Sequence, residues 1–172
     1  MSIGKLLLNW GPIGKVRRNH AFEHATLQVL YEQKKAGKLS GISSTFGFWV
    51  FGEVDTEELI EAALEAKKRL MGGETRLAVH PNCGTNFATA GIIGGTFAWL
   101  AMLGMRKSWQ DRFDRLATVI TVVTLGTIIA QPLGPKMQEW VTTEPDLGSL
   151  HVTEVQRFVE RNPPSHRVLT SY

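Results

Sequence analysis

"LATVITVVTLGTIIAQPLGP", residues 116–135, contains no Asp, Glu, Lys or Arg, and neither does "FATAGIIGGTFAWLAMLGM", residues 87–105. At about 1.5 Å of rise per residue, a helix of either length reaches across a hydrocarbon core of roughly 30 Å. A chain of 172 residues has room for one compact domain and an appendage. It would struggle to bury two such helices on every face of a soluble bundle, so both are expected to lie in lipid. The expected fold is α+β, or a small α/β layer, in a membrane-associated N-terminal domain joined to a two-helix transmembrane hairpin.

The flanks agree. Arg106 and Lys107 close the first segment and Trp109 follows; Arg112 and Arg115 precede the second, and Trp140 comes after it. Basic residues and Trp at the ends of a span suit the headgroup boundary. Gly91 and Gly95 on one segment, and Thr118, Thr121 and Thr124 on the other, would let helices approach closely, in a hairpin or with a partner helix or second copy. The ten residues between the segments make them antiparallel neighbours.

Upstream, "MSIGKLLLNWGPIG" has a short apolar stretch broken by Lys5, Pro12 and glycines, so it reads as an interfacial anchor rather than a signal or a span. Lys15, Arg17 and Arg18 favour a cytoplasmic N-terminal domain of an integral protein of the bacterial cell membrane. The four basic residues between the two segments favour the same side, which a hairpin would deny them. The net charge of +3 is small and dispersed, so a lipid surface is the expected partner and nucleic acid is not. A single cysteine excludes an internal disulfide.

Between these landmarks, Asn19 can cap a helix running to Ala36, with Gly37 ending it. Residues 41–54, "GISSTFGFWVFGEV", read as a strand or hairpin punctuated by Gly47 and Gly52. The stretch from Phe46 to Phe51 is expected to offer an edge to an extended substrate. "DTEELIEAALEAKKRLMGG" is an amphipathic helix with Asp55 and Glu58 spaced as a capping box and Gly72 after its end. Residues 74–79 read as a second strand, parallel to the first. The tail has a short helix over "HVTEVQRFVERN", then a loose "PPSHRVLTSY". The expected division is 1–86, a membrane-surface domain; 87–135, the hairpin; and 136–172, the tail.

The chemistry is concentrated in "RRNHAFEHATLQVL", residues 17–30. His20 and His24, at i and i+4, share a helix face at a spacing that lets two imidazoles hold one metal ion. Glu23, beside them, is placed to act as general base on a metal-bound water. The alternative is a solvated helix under headgroups, with Glu23 answering Arg17 or Arg18. A catalytic zinc takes a third protein ligand and keeps one open position. His80 and Cys83, in the turn-rich "HPNCGTN", are the candidates; Glu53 is an oxygen ligand in reserve, and His151 and His166 lie in the tail. If both His80 and Cys83 join His20 and His24, the site is closed and structural. If one joins, it is open. "HPNCGTN" can equally be a plain tight turn, with Asn82 or Asn86 capping the next helix.

"RNHAFEHAT" with "GFWVFGEV", then "HPNCGTN" and two apolar segments, resembles a family of small bacterial two-span membrane proteins known as a domain of unknown function. The resemblance covers residues 17–135 and implies that the two His-bearing segments belong together. The H-x-x-E-H order alone resembles the inverzincin metallopeptidases, which implies zinc on His20 and His24 and Glu23 as base. This chain is shorter than those peptidases and lacks their downstream glutamate ligand. The leading expectation is a zinc-dependent membrane hydrolase, a metallopeptidase acting on peptide or membrane-protein substrates. The alternative is an accessory or assembly subunit of a membrane complex, with structural zinc or none.

Overall fold

A computed structural model describes residues 3–35, 37–104 and 108–172. The helix end expected at Ala36, and Met105, Arg106 and Lys107, lie outside the described residues. The chain forms two units. One takes Met1–His80 together with Glu139–Tyr172, and the other takes Pro81–Gln138.

The first unit runs α1 (Ile3–Leu8), α2 (Gly11–Glu32), β1 (Ser40–Ser44), β2 (Gly47–Phe51), α3 (Thr56–Met71), a 3-10 turn (Thr75–Ala78), β3 (His151–Phe158) and β4 (Ser165–Ser171). The four strands form one antiparallel sheet in the order β1-β2-β4-β3. The class is therefore α+β, and the parallel layer is corrected. Residues 74–79 turn as a 3-10 helix because the sheet has no vacancy beside β2, which already pairs with β1 and β4. For the same reason residues 46–51 offer no edge; β1 does. The tail is corrected too. Val152, Thr153 and Val155 are β-branched, and against the edge of β4 their segment pairs as a strand rather than coiling. The segment expected to be loose supplies β4, an inner strand.

The central helix α2 starts at Gly11 with Pro12 in its first turn, eight residues before the expected cap. Asn19 is inside it and fully buried; its amide donates to the Ser44 carbonyl at 2.8 Å and its oxygen accepts from the Thr170 hydroxyl at 2.8 Å. The side chain read as a local cap is thus spent on tying the ends of β1 and β4 to the helix. Phe22 of α2 meets Phe48 of β2 edge to face, with centroids 5.5 Å apart. Ala21 and Ala25 on α2, and Ala62, Ala63 and Ala66 on α3, are all buried, and small side chains let two helices approach closely. Asp55 caps α3 as expected, accepting from the Glu57 and Glu58 amides.

On β4, His166 is 1% exposed, accepts from or donates to the Thr56 hydroxyl through Nε2 at 3.0 Å, and has Nδ1 buried without a partner. Burial, reinforced by Arg157 and opposed by Asp55, lowers its pKa. His80 is pushed down to about 4 by burial and by His24. Both rings fold neutral, so the unfolded chain takes up protons first as pH falls through the ordinary histidine range near 6.5. Stability is full above that range and declines below it. Melting of chelator-treated protein between pH 7.5 and 5 is expected to show this decline, with a shallower slope in His166→Gln.

The second unit pairs α4 (Gly84–Met102) with α5 (Trp109–Met137). The contacts fall on Gly126, which lies under the Phe97 ring, on Gly94 against Val123 and Thr127, and on Gly134 against Asn86. Gly91 and Gly95, expected as the close-approach pair, have open space where a Cβ would stand. Together with the π-helical turn Gln138–Thr142, α5 forms a 34-residue helix, Trp109–Thr142, long and apolar enough to cross a membrane by length and composition. It is the single such helix among the described residues, so one candidate span is supported and the second span of the expected hairpin is not.

Candidate metal centre

Every turn of α2 between Arg17 and Leu30 is enclosed, and polar side chains in such a helix need partners. His20 meets the Thr142 carbonyl through Nδ1 at 3.0 Å, and His24 meets the Ala78 carbonyl through Nδ1 at 2.8 Å. A carbonyl only accepts, so in both rings Nδ1 carries a proton and donates it. Metal-binding histidines are oriented in this way by backbone carbonyls at the ring nitrogen that does not ligate. One ring nitrogen of His20 lies within 4.8 Å of one of His24, and the ring centroids are 4.3 Å apart.

His80, 7% exposed, extends the row. Its ring is 5.6 Å from that of His24, and Tyr31 stacks on it at 6.2 Å. The segment leading to His80 is held by Gln28 of α2, whose amide donates to the carbonyls of Leu77 and Val79 at 2.9 and 3.0 Å. Three of the four expected metal ligands therefore stand together in the first unit. Cys83 opens the second, where its sulfur caps α4 by accepting from the Thr85 amide at 3.4 Å. Glu53 is exposed after β2, His151 is exposed on β3, and His166 is buried against Thr56, so none of these joins the row.

Glu23 is 4% exposed and does not answer Arg17 or Arg18. Arg17 donates to the carbonyls of Val141 and Thr143 and pairs with Glu144, and Arg18 donates to the Asp146 carbonyl. The Glu23 carboxylate lies beneath the edge strand β1, against Gly41, and accepts from the Ser43 hydroxyl. Burial raises its pKa, while Ser43 and the nearby His20 pull the other way. A proton acceptor tuned upward by desolvation is what a general base near neutral pH requires.

Gly41 and Ser43 escaped the sequence reading. A glycine in a strand signals close approach to something, but not to what. A Cβ at position 41 would collide with the Glu23 carboxylate. Gly41→Ala is expected to cost about 1–3 kcal/mol, as overpacking does, and to displace the carboxylate without touching His20 or His24. A lowered melting temperature with unchanged metal content would confirm it; an unchanged melting temperature would refute it.

An uncharacterized protein of Picosynechococcus sp. is 36% identical over 168 residues, covering 89% of this chain and 78% of its own length. No solved structure matches. A domain of unknown function, DUF6391, matches residues 15–155, and the chain belongs to that family.

Proposed function

We propose that this protein is a zinc-dependent hydrolase, a metallopeptidase held at a membrane by α5, with its first unit on the cytoplasmic side. The observation that carries the reading is the matched pair of ring orientations: two histidines one turn apart, each with Nδ1 against a backbone carbonyl, the arrangement in which Nε2 would be the ligating atom. Two imidazoles with a third imidazole or a thiolate suit zinc. His80 supplies the third ligand from its place in the row, or Cys83 does so, three residues along the chain.

Bound zinc would lower the pKa of a water and polarise a substrate carbonyl. Glu23 takes the proton of the attacking water at a carboxylate oxygen and returns it to the leaving amine. Ser43 holds the carboxylate in place by donating to one oxygen, and Gly41 leaves it room. The exposed edge of β1, directly above Glu23, is the strand an extended peptide would pair with.

Elemental analysis of detergent-purified protein tests the site. About one zinc per chain is expected, lost in His20→Ala and in His24→Ala, and lost in only one of His80→Ala and Cys83→Ala. Dependence on all four would make the site closed and structural, which favours an assembly subunit. Wild type purified without metal, under conditions that retain a tight site, would sink the hydrolase.

A further inference from the structure

The first unit exposes large apolar side chains on α1, the start of α2 and the β1–β2 turn. Trp10 is 76% exposed, Phe46 67%, Leu7 65% and Ile13 54%. Hydrogen bonds tie the segments that carry them to α2. Trp10 joins α1 to α2, its amide donating to the Leu7 carbonyl at 3.3 Å and its own carbonyl accepting from Gly14 at 3.4 Å. Phe46 sits in the β1–β2 turn, where its carbonyl accepts from the Thr170 amide at 2.9 Å, and Thr170 is bonded to Asn19 of α2. Tyr172 then returns to α2 and donates to the Lys15 carbonyl at 3.2 Å.

Two cations of α2 stand beside the Tyr172 ring. The Lys15 ammonium lies 5.2 Å and the Arg18 guanidinium 5.9 Å from the centre of the Tyr172 ring. Among the described residues neither makes an ion pair. Clustered exposed apolar residues mark an interaction site, and Trp, Tyr and basic side chains around such a cluster match the interface of a bilayer, with anionic headgroups meeting the cations.

We infer that this part of the first unit, built from α1, the start of α2, the β1–β2 turn and Tyr172, is a docking surface for an anionic lipid leaflet. Trp10, Phe46, Leu7 and Ile13 enter the headgroup layer while Lys15 and Arg18 face phosphates. The inference rests on the membrane part of the function proposed above and is independent of the metal centre. It assigns the first unit a bilayer contact of its own, separate from α5.

Single cysteines at Trp10→Cys and Phe46→Cys, labelled with an environment-sensitive dye, read this contact in the full chain reconstituted into nanodiscs. The unlabelled-site background comes from the parent chain, whose Cys83 is buried, and Glu154→Cys on exposed β3 is the control. Quenching by lipid-borne spin label at positions 10 and 46 is expected to be at least twofold above the control in phosphatidylcholine with phosphatidylglycerol. It is expected to fall at least twofold in phosphatidylcholine alone or with Lys15→Glu and Arg18→Glu together. Quenching equal to the control at both positions would overturn the inference. So would shielding that depends on protein concentration and not on lipid, since a second copy would then be the occupant. If α5 fails to enter the discs, the span is at fault, and vesicles of the same lipids mixed with the chain read the docking surface by the same quenching.

Discussion

Glu23→Gln is expected to leave the metal content unchanged and to lower hydrolysis about 10²- to 10⁴-fold, the usual contribution of a positioned general base. The amide keeps the shape of the side chain and can still accept from Ser43 beneath β1, so the fold has little reason to change. What it loses is the ability to take a proton. The two histidines keep their orientation because their carbonyl partners, Thr142 and Ala78, belong to other segments. Turnover of a peptide library by wild-type and variant protein, with zinc measured on the same samples, decides the matter. Full activity in the variant would remove Glu23 from the mechanism. Loss of zinc would recast it as a residue that positions the ligands.

The second large effect is expected at Arg17. Its guanidinium, 4% exposed, donates to the carbonyls of Val141 and Thr143 at 2.7 Å each, bonds Asn9 and lies 3.6 Å from the Glu144 carboxylate. Desolvation lowers its pKa, and Glu144 partly restores it. Arg17→Ala would leave the Val141 and Thr143 carbonyls without their donor and take the charge partner from Glu144, which keeps its bond from Asn9, a loss that costs about 3 kcal/mol. For a chain of this size that corresponds to a fall in melting temperature of about 6–12 °C. The stretch it holds includes Thr142, the acceptor for His20, so zinc affinity is expected to fall about 10- to 100-fold, as when an outer partner of a ligand is removed. Thermal melting and a zinc competition titration check the two parts. A melting point within a degree or two of wild type would show that solvent replaces the guanidinium.

Much of the local structure was legible. Asp55 before an amphipathic run starts α3, and the glycines at 47 and 52 punctuate the hairpin, where both have positive φ. The i and i+4 spacing of His20 and His24 needed only the helix to be right, and a wrong start for α2 did not disturb it. The errors share one cause. Residues 74–79, 151–158 and 165–171 are short segments whose intrinsic preference is weak, and their state depended on which strand edge was vacant. Of the two spans expected, α5 alone among the described residues is long and apolar enough to cross a membrane.

By itself the sequence determined several pieces: the helices α2 and α3, the Asp55 cap of α3, that α5 is long and apolar enough for a bilayer, and that His20, Glu23 and His24 share one turn. These depend on contacts within a few residues, which period and propensity encode. The tertiary structure alone decided the centre. Thr142 and Ala78, more than fifty residues from the rings they meet, hold the ring orientations, His80 joined the row through Gln28, and Gly41 and Ser43 enclosed the carboxylate. Backbone carbonyls carry no signature in a sequence, and the folded chain decides which ring each one meets.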